Sequence, residues 1–267
     1  AGLRGVASIF LMHRTQWVGL DGAPVTNSGS FNKPIGTTNM GYGVSFVNDR
    51  IGVSDENTIS LDFSYSIATS EEYKIAFGIK ASANLLSVDF TRLTIRDPED
   101  VLLSGQANID NRFSPNVGAG VYLYSDKNYI GLSVPHFLKT KHYDDNVSSL
   151  ANERMHFYFI AGSVFDLNEA LKFKPALMTK MIQGAPLQAD LSANFLLYEK
   201  FYAGAAYRRS AALSALVGFQ INNSWFIGYS YDAETTKLAN YNSGSHEIFI
   251  RCELFKKYTK IVSPRFF

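Results

Sequence analysis

Four stretches lie almost end to end: Leu191-Ser-Ala-Asn-Phe-Leu-Leu-Tyr198, Phe201-Tyr-Ala-Gly-Ala-Ala-Tyr-Arg208, Ala212-Leu-Ser-Ala-Leu-Val-Gly-Phe-Gln-Ile221 and Trp225-Phe-Ile-Gly-Tyr-Ser-Tyr-Asp232. Their apolar residues fall largely on odd numbers, among them Leu191, Phe195, Ala203, Tyr207, Leu213, Val217, Phe219, Ile227 and Tyr229. The even positions are small or polar, as at Ser192, Asn194, Gly204, Ser214, Gly218, Gln220 and Ser230. Successive residues of a strand point to opposite faces, so each stretch is a strand with one greasy and one polar face. Two- to three-residue breaks carrying Glu, Asn and Ser separate them, which makes antiparallel hairpins.

The same pattern extends over the rest of the chain. Fourteen strands are expected, near 6–14, 25–33, 38–48, 57–69, 72–85, 115–124, 128–137, 153–165, 170–182, 187–197, 200–208, 212–222, 224–232 and 245–255. Many reach the ~9–11 residues that a tilted strand needs to cross a bilayer. Connections at 34–37, 70–71, 125–127, 166–169, 198–199 and 223 are short. Those at 15–24, 49–56, 86–114, 138–152 and 233–244 are longer, with exceptions near 183–186 and 209–211. Short turns at one rim and long loops at the other match the periplasmic and extracellular ends of an outer-membrane barrel, and a soluble β-sandwich has no reason for that asymmetry. Lys74, Lys80, Lys172, Lys174 and Lys180 alternate with apolar neighbours. They are costly in a dry core but stable in a wet lumen. The expected fold is therefore all-β: one transmembrane antiparallel β-barrel spanning residues 1–267, with about fourteen strands, in the bacterial outer membrane and in contact with its lipid.

Composition agrees. The 267 residues carry 25 basic and 24 acidic side chains with no basic stripe, which argues against nucleic acid as a partner. Mean hydropathy is −0.06, and no run approaches the ~20 apolar residues of a membrane-spanning helix. Fifteen Tyr and 20 Phe supply rings suited to membrane interfaces. The single cysteine, Cys252, shares parity with Ile248, Ile250 and Leu254, and reads as a small apolar residue of the greasy face. Export of a barrel requires a leader, so a signal peptide is expected to have preceded Ala1.

Catalytic chemistry is not expected. Ser245-His246-Glu247 resembles a triad in miniature, but neighbours on a strand point to opposite faces and cannot converge. His142-Tyr143-Asp144-Asp145 reads as a solvated turn in a long loop before it reads as a cation site. Gly118-Ala119-Gly120 lies mid-strand, where glycine serves close packing and not phosphate binding. No GxSxG, HExxH or P-loop motif occurs. The reading is of a non-enzyme with no metal and no cofactor.

Several segments together resemble the PorP/SprF family of the type IX secretion system. They are Arg14-Thr-Gln-Trp17-Val-Gly19-Leu-Asp-Gly22-Ala-Pro24-Val-Thr26, then Ser114-Pro-Asn116-Val-Gly-Ala-Gly120-Val-Tyr-Leu-Tyr124 with Tyr129-Ile-Gly131-Leu-Ser133-Val-Pro135-His136. Gly228-Tyr-Ser-Tyr231-Asp232 with Gly244-Ser245-His246-Glu247-Ile248, and the closing Ser263-Pro264-Arg265-Phe266-Phe267, complete the series. Family members commonly begin with an Asn-Pro-Ala-Tyr-like stretch before Ala-Gly, whereas this sequence opens at Ala1-Gly2.

The resemblance implies a barrel of type IX secretion and gliding motility. Such a barrel binds, retains or helps deliver a secreted cell-surface adhesin through its C-terminal sorting domain, and it has possible contacts to the secretion machinery. Loops on a rigid scaffold carry such work. Trp17, Asp21, Tyr143 and Tyr241 are the candidates for partner contact, since aromatic residues dominate interface energetics. Trp17 has a competing reading as an aromatic-belt anchor. The rival function is a passive porin or small-solute transporter. If the lumen is plugged instead, the loop 86–114, with a possible helical turn at 98–103, is the expected plug.

Overall fold

A computed structural model describes residues 1–93, 108–138 and 155–254. Fifteen β-segments run in chain order: β1 (Ala7–Thr15), β2 (Val25–Pro34), β3 (Met40–Ile51), β4 (Ser54–Ala68), β5 (Lys74–Val88), β6 (Ile109–Tyr124), β7 (Asn128–Val134), β8 (His156–Ser163), β9 (Phe165–Asn168), β10 (Leu171–Ile182), β11 (Gln188–Leu197), β12 (Phe201–Arg208), β13 (Ala212–Gln220), β14 (Trp225–Glu234) and β15 (Ser245–Leu254). β8 and β9 both pair with β10 and form one strand, interrupted at Val164. The result is a barrel of fourteen antiparallel strands, each beside its chain neighbour. It closes where β1 meets β15, from Ala7 opposite Leu254 to Thr15 opposite His246. Closure leaves no free sheet edge in the hydrocarbon, where unpaired backbone groups cost several kcal/mol each.

Side-chain alternation separates two solvents. Ile59, Leu61, Phe63, Tyr65 and Ile67 of β4, and Leu213, Val217 and Phe219 of β13, lie exposed on the outer face. Ser60, Ser64, Ser114, Asn116 and Gln220 are buried on the inner one. The lysines behave as expected of a wet lumen: Lys80 sits opposite Asp62, Lys174 opposite Asn194 and Lys180 opposite Gln188. Inward rings lie against inward glycines. A Cβ added to Gly228 or Gly218 would fall 2.3 or 2.4 Å from the ring of Phe249 or Phe226. Cys252 lies between Trp225 and Ile9 in register, on the outer face as expected.

The outer apolar band ends at a hydrogen-bonded polar row. His13 Nδ1 lies 2.7 Å from Asn27 Oδ1, and Asn27 Nδ2 donates to Asn48 Oδ1 at 3.4 Å. Asn48 Nδ2 donates to Asp55 and Asn57 at 2.8 and 3.1 Å. Such groups belong at the headgroup level and not among acyl chains. Above that row β4, β5 and β6, of 15, 15 and 16 residues, continue as a raised wall on one side of the mouth.

Three expectations are corrected. The connection expected to be long at 49–56 is a two-residue turn, Gly52-Val53, because β3 and β4 pair all the way from Met40–Tyr65 to Ile51–Ser54. Gly52 supplies the positive φ (58°) that this tight turn needs. β6 starts at Ile109 and β5 runs to Val88, so the loop expected at 86–114 is confined to 89–108. β7 ends at Val134, before Pro135, which lacks the amide to continue the ladder. The possible helical turn at 98–103 lies outside the described residues.

The outward assignment has a direct test. Ile79 is 63% exposed on the outer face of β5, and its neighbour Lys80 faces the lumen. Ile79→Arg is expected to cost the lipid-embedded barrel about 2–4 kcal/mol, while Lys80→Arg changes little. Unfolding midpoints in urea measure both, and equal small effects would contradict the assignment.

Candidate partner-binding rim

The rim that bears loops 16–24, 89–108, 135–155 and 235–244 faces outward from the cell by the loop-length rule. Loop 16–24 is closed at its base by Gln16 N–H donating to Pro24 O at 2.9 Å. Its tip folds on a turn in which Leu20 N–H donates to Trp17 O at 3.1 Å. Trp17 has φ 46° and Gly19 φ 101°, the left-handed conformations this reversal requires. Loop 235–244 contains a one-turn 3-10 helix, Lys237–Tyr241, whose first turn is capped by Thr236 Oγ1 accepting from Leu238 N–H at 3.3 Å.

The two loops form one surface. Val18 N–H donates to Gly244 O at 2.9 Å, and Ser243 N–H donates to Val18 O at 2.7 Å, a short strand-like pairing above β1 and β15. Gly52 N–H donates to Gly22 O at 2.9 Å and ties the β3–β4 turn to the same platform.

Polar groups on the lumen side support it from below. Arg14 bonds Asp232 at 2.5 Å and Glu247 at 3.3 Å. Ser245 Oγ accepts from Trp17 N–H at 3.2 Å, and the Trp17 indole N–H donates to Glu234 at 3.3 Å. Arg208 makes a forked contact with Asp190, its Nε and Nη2 lying 2.8 and 3.3 Å from the two carboxylate oxygens.

Trp17 and Tyr241 therefore share one platform with Asp21, while Tyr143 lies outside the described residues. Tyr241 is 70% exposed and Asp21 is exposed, both open to a partner. The Trp17 indole is tied to Glu234 at the barrel mouth. The supporting residues Arg14, Asp232, Ser245 and Glu247 were not among the sequence candidates. All four lie in the family-like segments, which is the signal that could have found them.

His246 diverges from Ser245 and Glu247, which share the lumen face. Ser245 serves Trp17, Glu247 serves Arg14, and His246 turns outward to Tyr229, whose hydroxyl lies 2.7 Å from Nδ1. Among the described residues no three His, Cys, Asp or Glu side chains are grouped to hold a metal ion.

Fold and rim together define an outer-membrane β-barrel with a structured surface-exposed loop platform. The family described as "Type IX secretion system membrane protein PorP/SprF" matches residues 1–252, and the chain belongs to it. No curated protein matches the chain in sequence. Solved outer-membrane barrels share its fold. The Acinetobacter baumannii outer membrane protein Omp33 is 7% identical with a TM-score of 0.52, over 95% of this chain and 100% of its own. The CymD monoaromatic hydrocarbon channel is 12% identical with a TM-score of 0.55, over 94% and 89%. A TodX monoaromatic hydrocarbon channel mutant is 8% identical with a TM-score of 0.51, over 92% and 88%. At these identities the likeness is one of fold.

Proposed function

We propose that this barrel works in type IX secretion by holding or handing on a secreted cell-surface protein, an adhesin of the kind used in gliding, through that protein's C-terminal sorting domain. One observation carries the reading. Loops 16–24 and 235–244 are paired and braced from the lumen, so they present Trp17, Asp21 and Tyr241 on a fixed surface. A fixed surface loses little entropy on binding, and aromatic side chains such as the half-buried Trp17 and the exposed Tyr241 anchor interfaces. Contacts of the opposite rim with the secretion machinery belong to the same reading. The barrel acts by binding and not by catalysis.

Mild detergent extraction from native outer membranes, followed by mass spectrometry, tests it. A large secreted protein is expected to co-purify in stoichiometric amount and to disappear when residues 18–22 and 237–242 are replaced by short Gly-Ser links. A barrel that purifies alone would shift the reading to a passive porin, which single-channel conductance would then have to show.

A further inference from the structure

The segment 1–6 precedes β1 and lies inside the barrel at its short-turn end. A turn closed by Gly5 N–H donating to Gly2 O at 3.1 Å, with both glycines at positive φ (72° and 70°), folds it compactly. It touches strands over about half the circumference. On β4, Ser64 Oγ donates to Ala1 O at 2.6 Å. On β3, Gly41 is so close that a Cβ there would stand 2.7 Å from both Ala1 O and Gly2 Cα. Leu3 packs against the cluster formed by Ala76 of β5, Tyr122 of β6 and Tyr129 of β7. On β15, Arg4 bonds Glu253 at 2.6 Å.

Two cavities flank the segment. One, of about 320 Å³, lies toward the short-turn rim and is lined by Ala1, Leu3, Asn39, Glu72 and Asp126. The other, of about 480 Å³, reaches up the lumen to Lys80, Gly120, Tyr158 and Met178. Ala1 and Leu3 line both, so the segment stands where the two cavities meet.

We propose that residues 1–6 are a detachable partition that closes the lumen near its periplasmic end. The wall is shaped to receive it: glycine at 41 makes room, Ser64 supplies a donor and Glu253 a counter-charge. The seat needs no covalent link, and Arg4 to Glu253 is an ionic contact that holds it. Residues 1–6 belong to no strand, so the segment can leave its seat without disturbing any ladder of the barrel. The partition operates at the rim opposite to the loop platform, so it stands independently of the partner reading.

The test uses the full chain with Cys252→Ser and a reporter, Ala76→Cys. Ala76 is 4% exposed, in the cluster against which Leu3 packs. A charged thiol reagent is expected to label the reporter slowly while the partition is seated. Deleting residues 2–5, or obstructing the seat with Gly41→Val, is expected to raise the rate by roughly 150-fold or more, the population change that matches loss of a buried ion pair. Arg4→Ala alters only the segment and leaves the wall intact, and it should give an intermediate rise. Heat-modifiable gel migration verifies that each barrel is folded. In planar bilayers the full chain should stay closed and the deletion variant should conduct. Equal labelling of the full chain and the deletion variant would overturn the seat. Faster labelling without any gain in conductance would overturn the partition.

Discussion

Glu253→Ala is expected to destabilise the barrel by about 3–5 kcal/mol, the cost of removing one partner from a buried ion pair. Glu253 is only 2% exposed and serves two guanidinium groups, Arg4 at 2.6 Å and Arg251 at 3.2 Å. Burial, followed by the repulsion of Arg251, lowers the Arg4 pKa to about 10, so Arg4 still carries its charge at neutral pH. Arg251 has other support, with its Nη2 donating to Gln220 Oε1 at 3.3 Å and its guanidinium 4.6 Å from the centre of the Phe226 ring. Removal of Glu253 leaves two cations facing each other in a poorly hydrated site. Adding Arg4→Ala should recover part of the loss, because it removes one of the unpaired charges. Urea unfolding in lipid vesicles reads both changes. A loss below about 1 kcal/mol would mean that water screens the site as it does a surface pair.

If the loop platform holds a secreted partner as proposed, Trp17→Ala is expected to weaken that binding by about 2–4 kcal/mol, roughly 30- to 1000-fold in Kd. The effect has two sources. The ring is lost from the contact surface, and so is the indole N–H bond to Glu234 that fixes its orientation. Trp17→Phe keeps most of the ring without the hydrogen bond and should fall between the two. Tyr198 is 74% exposed at the opposite rim, so Tyr198→Ala controls for loss of any exposed aromatic and should leave affinity unchanged. If Trp17→Ala and Tyr198→Ala behave alike in a binding titration, the loop platform is not the contact.

Comparison of sequence and structure separates two kinds of information. Period-2 alternation is a local property, set by the geometry of an extended chain against two solvents. Residues 191–231 therefore disclosed their strands, their outward face and a barrel closed against lipid. The divergence of His246 from Ser245 and Glu247 followed from the same geometry. Boundaries at the outer end were less legible. Residues 49–56 are polar enough to read as a loop, yet the pairing of β3 with β4 carries them up as a wall above the membrane, where polar residues suit both faces.

What joins distant parts of the chain was not legible at all. The pairing of Val18 with Ser243 and Gly244, and the grasp of Arg14 on Asp232 and Glu247, bring together residues more than 200 positions apart in the sequence. Only the closure of β15 on β1 makes them neighbours. The seating of Arg4 on Glu253 depends on the same closure. Alternation states which way a side chain points. What it meets there is decided by the register of strands around the closed barrel, which the sequence specifies only through the sum of all its pairings.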